Sequence, residues 1–202
     1  MDSELRDELL AMAADDQAVR ARLAADGSLF QGYHPEMAAV HRRNGERLDA
    51  IIAAHGWPGR SLVGEDGARA AWLVLQHAIG APSLQRRGLA LLRAAAARGE
   101  VPAAEVAMLE DRICFYEGRP QVYGTQFDWD EHGDLSPWPI EDRARVDERR
   151  RSVGLPPLEE HTRRVRSGLA DAPRPTPEQI RQRRAEAEAW SRAAGWRDGI
   201  EA

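Results

Sequence analysis

At 202 residues with one cysteine, Cys114, the chain has room for a single domain of ordinary size and a tail, and cannot carry an internal disulfide framework. Its net charge of −5 comes from 33 acidic and 28 basic residues, every one of the latter an arginine; because these are scattered among the acids, no nucleic-acid surface is expected. The acidic start "MDSELRDELLAMAADD" lacks a basic region followed by an apolar one, and no apolar run reaches the ~20 residues of a membrane span, so a soluble, cytoplasmic protein with no membrane partner is expected.

Apolar spacing predicts helices almost throughout. The first runs from Ser3 to Ala25, before "DGSLFQGYHPE". The second begins at Pro35, a residue suited to the first helical position, and stops at Gly56. "SLVGEDG" reads as the turn that leads into a third helix around "AAWLVLQHA" (Ala70–Ala78), which ends by Gly80. "PSLQRRGLALLRAAAARG" and "PAAEVAMLEDRICFYEG" each open with proline and close with glycine, as the fourth and fifth helices. The pattern then changes. In "QVYGTQFDWDEHGDLSPWPI", aromatic and β-favouring residues flank a turn-rich "DEHGD", which predicts a hairpin or extended loop lying on the helices. Two short helices follow, around Glu141–Ser152 and Pro157–Ser167. "ADAPRPTPEQ" reads as a linker, with Thr176 as N-cap of a charged last helix expected to be a loosely attached arm. The expected fold is all-α: a compact helical bundle with a small β-hairpin or extended loop and a charged C-terminal helix, residues 1–170 forming the domain and 171–202 the linker and last helix.

The third helix is apolar around almost its full circumference, which marks a helix buried on every side. Gln76 and His77 close it, and polar groups at such a place need partners. On the second helix, His41 and Asn44 fall inside the stripe formed by Met37, Leu48, Ile51 and Ile52, whereas Arg42 and Arg43 do not. An inward His-Asn pair and an inward Gln-His pair exceed what packing requires, since each buried polar group costs about 1–3 kcal/mol if unpaired. The pattern recurs on the next two helices. Gln85 lies between apolar positions of the fourth, and Arg112 borders the Val106/Leu109/Ile113/Tyr116 stripe of the fifth, with Asp111 and Cys114 pointing away. In "YGTQF", Gly124 suggests close backbone approach, and the segment would bring Tyr123 or Gln126 to the polar cluster as a lid.

"GWPGRSLVGEDGARAAWLVLQHA", "LQRRGLALLRAA", "LEDRI", "YGTQF" and "PIEDRARVDERRRSVGLPPL" together resemble a bacterial family of unknown function, domain-of-unknown-function family 6624. The resemblance covers about His34 to Arg166 and leaves out the first and last helices. It implies a helical domain in which the "QHA" and "YGTQ" segments are hallmarks. It brings no activity with it, and so no catalytic residues.

Other motifs are excluded. The glycines of "GWPGRSLVGEDG" lack the preceding strand and following Lys-Ser/Thr of a phosphate loop. No HExxH, CxxC or His-x-His pair occurs, and although His41 and His77 could be two ligands, no carboxylate stands out as a third; neither metal nor other cofactor is expected. No nucleophile elbow exists. Two readings remain. In the first, the chain is a small-molecule-binding enzyme: His41 or His77 is the acid/base, Arg112 clamps an anionic ligand, and Asn44, Gln76, Gln85, Tyr123 and Gln126 orient the substrate. In the second it is a non-enzymatic interaction module of immunity or adaptor type, with a protein partner docking on an exposed Trp129/Trp138 patch.

Overall fold

Asp2 starts the first helix by accepting the Leu5 N–H on its carboxylate, so α1 (Ser3–Ala25) opens with a cap and an acidic first turn. The structure, a computed structural model, describes residues 1–30, 32–168 and 174–197. α2 (Pro35–His55) has proline in its first turn and the His34 ring accepting the Glu36 N–H. α3 (Arg60–His77), α4 (Pro82–Ala97) and α5 (Ala103–Glu117) follow, then an antiparallel pair, β1 (Phe127–Trp129) and β2 (Leu135–Pro137), with Phe127 opposite Pro137. α6 (Val146–Ser152), α7 (Leu158–Ser167) and α8 (Pro177–Ala193) complete the described chain. The fold is all-α with one small hairpin. Among the described residues, no helix is long and apolar enough to cross a membrane.

The chain divides into two compact units, residues 1–106 and 107–202, the division falling within α5. In the first, α3 packs against α1, α2 and α4, and α1 also meets α2. Val63, Ala68, Ala70, Ala71, Val74 and Leu75 of α3 are buried there. Trp72 and Leu73, expected inside as well, are half-buried. Trp72 instead donates its indole N–H to the Glu105 carbonyl at 3.1 Å, the usual way a partly buried tryptophan satisfies its polar end. "SLVGEDG" is not a turn but helix on both sides of a kink, where Gly64 takes φ 75°. That conformation strains any residue with a Cβ.

In the second unit, two polar side chains clamp one loop. The Asp111 carboxylate accepts the N–H groups of Val122 (2.7 Å), Tyr123 (2.9 Å) and Thr125 (2.9 Å). Arg150, fully buried, donates to the carbonyls of Tyr123 and Pro156, both at 2.6 Å. Asp111 and Cys114 therefore do not point outward as the helical wheel suggests; both are buried, because the loop folds back over that face. Gly124 makes the close approach expected of it: a Cβ there would lie 2.8 Å from Leu158 Cδ1. α6 starts later than its sequence pattern predicts because Asp142 adopts a left-handed φ of 42°, which no α-helix continues.

α8 is not a loose arm. A reciprocal Thr176–Gln179 capping box starts it. Ile180, Ser191 and the following Trp196 are buried, and Trp196 stacks on Tyr116 with ring centroids 5.3 Å apart. Arg184 adds a hydrogen bond to Asp128. Residues 170–173 of the expected linker lie outside the described residues.

Two outcomes follow from this packing. Gly88 of α4 lies so close to α3 that a Cβ would meet Leu75 Cδ2 at 2.6 Å. Gly88→Ala gains ~1 kcal/mol of helix propensity, but overpacking a core costs ~1–3 kcal/mol. Leu75 is fully buried and cannot swing into water, so the urea midpoint should fall, not rise. A protease cut between α7 and α8 should leave α8 bound under native conditions; its release on gel filtration would contradict the docking described.

Candidate active site

The centre of the first unit is a carboxylate. Leu5, Leu9, Met12, Asp16, Val19 and Leu23 follow the alternating four- and three-residue spacing of a helix seam, and Asp16 is the charged member of that row. It is 1% exposed. Two histidines from other helices converge on it. His77, the last residue of α3, donates from Nδ1 to both carboxylate oxygens at 2.9 Å. His41, in the second turn of α2, brings Nε2 to 3.1 Å from Oδ2, within ion-pair distance but off the line of a hydrogen bond. The Gln17 amide donates to Oδ1 at 3.1 Å.

The far side of His41 is also engaged. The Tyr33 hydroxyl hydrogen-bonds Nδ1 at 2.9 Å, as the donor in the tautomer that carries the His41 proton on Nε2, and its ring stacks on the imidazole. With Nδ1 accepting, the proton of a neutral His41 sits on Nε2, facing Asp16; with His77 Nδ1 donating, its lone pair sits on Nε2. The two imidazole centroids are 5.2 Å apart. Burial pushes the Asp16 pKa up, but the close approach of His41 and His77 outweighs it, and the carboxyl stays well below the usual carboxylate range. The group is thus ionised across the physiological range, with two imidazoles facing its negative charge.

The other polar residues singled out by sequence have different placements. Asn44 is buried as expected, and its amide donates to the Met12 carbonyl, tying α2 to α1. Gln85 is fully buried and donates to the carbonyls of Leu75 and Gln76, closing the end of α3 just before His77. Gln76 is buried at the same helix end. The Asn44 and Gln85 amides thus both spend donors on main-chain carbonyls. Arg112, Tyr123 and Gln126 belong to the second unit. There Tyr123 is held through its backbone by Asp111 and Arg150, and Gln126 through its own by Gln121, which receives the Gln126 N–H and donates to its carbonyl, both at 2.9 Å. Sequence reasoning missed Asp16 and Tyr33. For Asp16 the signal was the seven-residue spacing Leu9, Asp16, Leu23; Tyr33 precedes its helix and had none.

Two concavities lie in the same unit. A groove of about 410 Å³ is lined by Leu10, Ala13, Gln17, Ala70, Trp72 and Leu73, among others, so the side chain that bonds Asp16 also faces it. A cleft of about 530 Å³ contains Arg60, Arg69, Glu100 and Glu105, and burial pushes the Glu105 carboxyl up to about 7 despite Arg69.

The model of a family of unknown function, DUF6624, matches residues 3–171. The chain belongs to that family. The match takes in α1, and with it Asp16, as well as His41 and His77. No curated protein and no solved structure matches the chain.

Opposite pH responses are expected from the two perturbed carboxyls. Asp16 has a depressed folded pKa, so its contribution to stability is present above the unfolded value of about 3.9 and is lost as pH falls through the folded value. Asp16→Asn should therefore cost about 1.5–3 kcal/mol at pH 7, the scale of hydrogen bonds to a charged group, with the gap narrowing in acid. Glu105 has a raised pKa, which favours the folded state when protonated and weakens it as pH rises towards 7. Glu105→Gln should raise the melting temperature at pH 8 and leave it unchanged at pH 4. Thermal melts across pH would check both signs.

Proposed function

We propose that the chain is a small enzyme in which Asp16, His41 and His77 carry out proton transfer on a small polar molecule. One observation carries this reading: a single buried carboxylate holds imidazoles from two other helices. Replacing a buried ion pair by apolar residues is often neutral or stabilising, so stability alone gives little reason for three titratable groups at one point of a core. Asp16 accepts the His77 Nδ1 proton, which orients the ring and makes Nε2 the more basic nitrogen; when Nε2 takes a proton, the adjacent charge stabilises the imidazolium. This is the role a carboxylate plays behind a catalytic histidine in hydrolases. The His77 side chain is 18% exposed, enough for its edge to meet a substrate.

The interaction-module reading has less support. Trp129 and Trp138 do not form an exposed patch: both are half-buried, and Trp138 packs edge-on to Phe115 and donates to the Arg119 carbonyl.

A panel of esters, phosphoesters and lactones offered to the full chain tests the enzyme reading. Turnover should drop about 10²–10⁴-fold in His77→Gln, the usual contribution of a general acid/base, and fall in Asp16→Asn with little change in KM. The stabilities of His41→Gln and His77→Gln should also couple by about 0.5–3 kcal/mol. Additive stabilities, together with turnover indifferent to both histidines, would remove the proposal.

A further inference from the structure

We propose that Asp16, His41 and His77 form a binding site for one divalent transition-metal ion of the zinc class. The inference rests on the reading of this cluster as the working site and names a ligand that the site takes; with the ion bound, Asp16 and His77 Nδ1 are its ligands, and the proton transfer proposed above belongs to the metal-free state.

The donor set is the first argument. Two imidazoles and one carboxylate suit zinc and its neighbours, and sites with three protein ligands keep a further position for water or substrate. Each ligand comes from a different helix, α1, α2 and α3, so the donors are held by packed backbone rather than by a mobile loop.

The distances are the second. One donor atom from each of the three residues lies within 4.8 Å of the others. With metal–ligand bonds of 2.0–2.1 Å, a tetrahedral edge is about 3.3 Å. Both imidazoles reach one carboxylate oxygen, Oδ2, at 2.9 Å from His77 Nδ1 and 3.1 Å from His41 Nε2, within a few tenths of an ångström of that edge. The remaining edge has at most about 1.5 Å to close.

The third argument is His41 Nε2. This nitrogen is buried and has no hydrogen-bond partner among the described residues, although a carboxylate oxygen is only 3.1 Å away. A proton uses that geometry poorly, because a hydrogen bond needs alignment. An ion lying between the groups binds each along its own lone pair and does not need them to point at one another.

Protonation states balance without an outside acid or base. On ion binding, each neutral imidazole moves its proton from the inner nitrogen to the outer one. For His41 the outer nitrogen is Nδ1, which then donates to the Tyr33 hydroxyl oxygen that now serves it as donor. Tyr33 is thus a positioning residue that fixes the ligating tautomer, as outer partners of metal-bound histidines do.

The test is calorimetric titration of the chelator-treated, full-length protein with Zn2+, and with Co2+ followed by its visible absorption. One ion per chain with a dissociation constant of about 1 μM or tighter, and a cobalt spectrum of four- or five-coordinate type, is the expected result. Tyr33→Phe should weaken binding about 10–100-fold. His41→Gln and His77→Gln should weaken it more, and His132→Gln, at an exposed position, should leave it unchanged. Should the ligand variants fail to fold, paramagnetic broadening by Co2+ in the wild-type protein should strike the ring signals of His41 and His77 first. Absence of saturable uptake, or broadening centred on other histidines, would overturn the metal site. Failure of uptake with His41 and His77 still energetically coupled removes the metal and leaves the proton-transfer proposal. Uptake with additive histidine variants and turnover indifferent to both histidines removes the proton-transfer proposal instead.

Discussion

The first unit is organised around the need to keep one negative charge stable inside a helical core. Removing a carboxylate from water costs several kcal/mol even after relaxation, and Asp16 sits in the seam of α1 between Leu9 and Leu23, both buried. Its neighbours follow from that placement. His41 and His77 must approach from α2 and α3, Gln17 turns back to add a donor, and Tyr33 holds the outer edge of His41. Asn44 and Gln85 do related work on the backbone, fastening α2 to α1 and sealing the carbonyl end of α3. The ion pairs that also join α1 to α2, such as Arg47–Glu8 at 2.5 Å, lie on the surface, where such pairs contribute ~1 kcal/mol or less.

The second unit uses buried charge differently. Asp111 and Arg150 direct these hydrogen bonds at main-chain N–H and C=O groups, not at histidines. Burial raises the Asp111 pKa even though three N–H groups favour its charged form. Burial therefore does not identify a reactive group. What separates Asp16 from Asp111 is that its partners can themselves gain and lose protons.

How much of this was legible in the sequence depends on what kind of pattern each element leaves. The helices announced themselves through proline at their starts, glycine past their ends and apolar spacing; α1 and α2 begin where the sequence says. The inward direction of His41, Asn44 and Gln85 could be read because α2 and α4 have apolar stripes to measure against, and that of Gln76 because α3 is apolar nearly all round. α1 has no dominant apolar face, and Asp16 stands beside the exposed Asp15 in a run of small and acidic residues, so nothing but the heptad spacing distinguished it. Asp111 was placed outward because a wheel measures one helix alone, and its burial comes from a loop later in the chain. Tertiary cover of that kind leaves no local trace.

The clamp on residues 122–125 separates path from composition. Because Asp111 grips their N–H groups and Arg150 their carbonyls, the course of this segment is set by two residues outside it and by the glycine that lets it pass Leu158. The side chains of Val122 and Tyr123 take no part in those main-chain bonds. Diverging relatives could therefore exchange them freely, altering what the segment displays while its trace stays the same, so variability at these positions and constancy at Asp111, Gly124 and Arg150 are two outcomes of one arrangement.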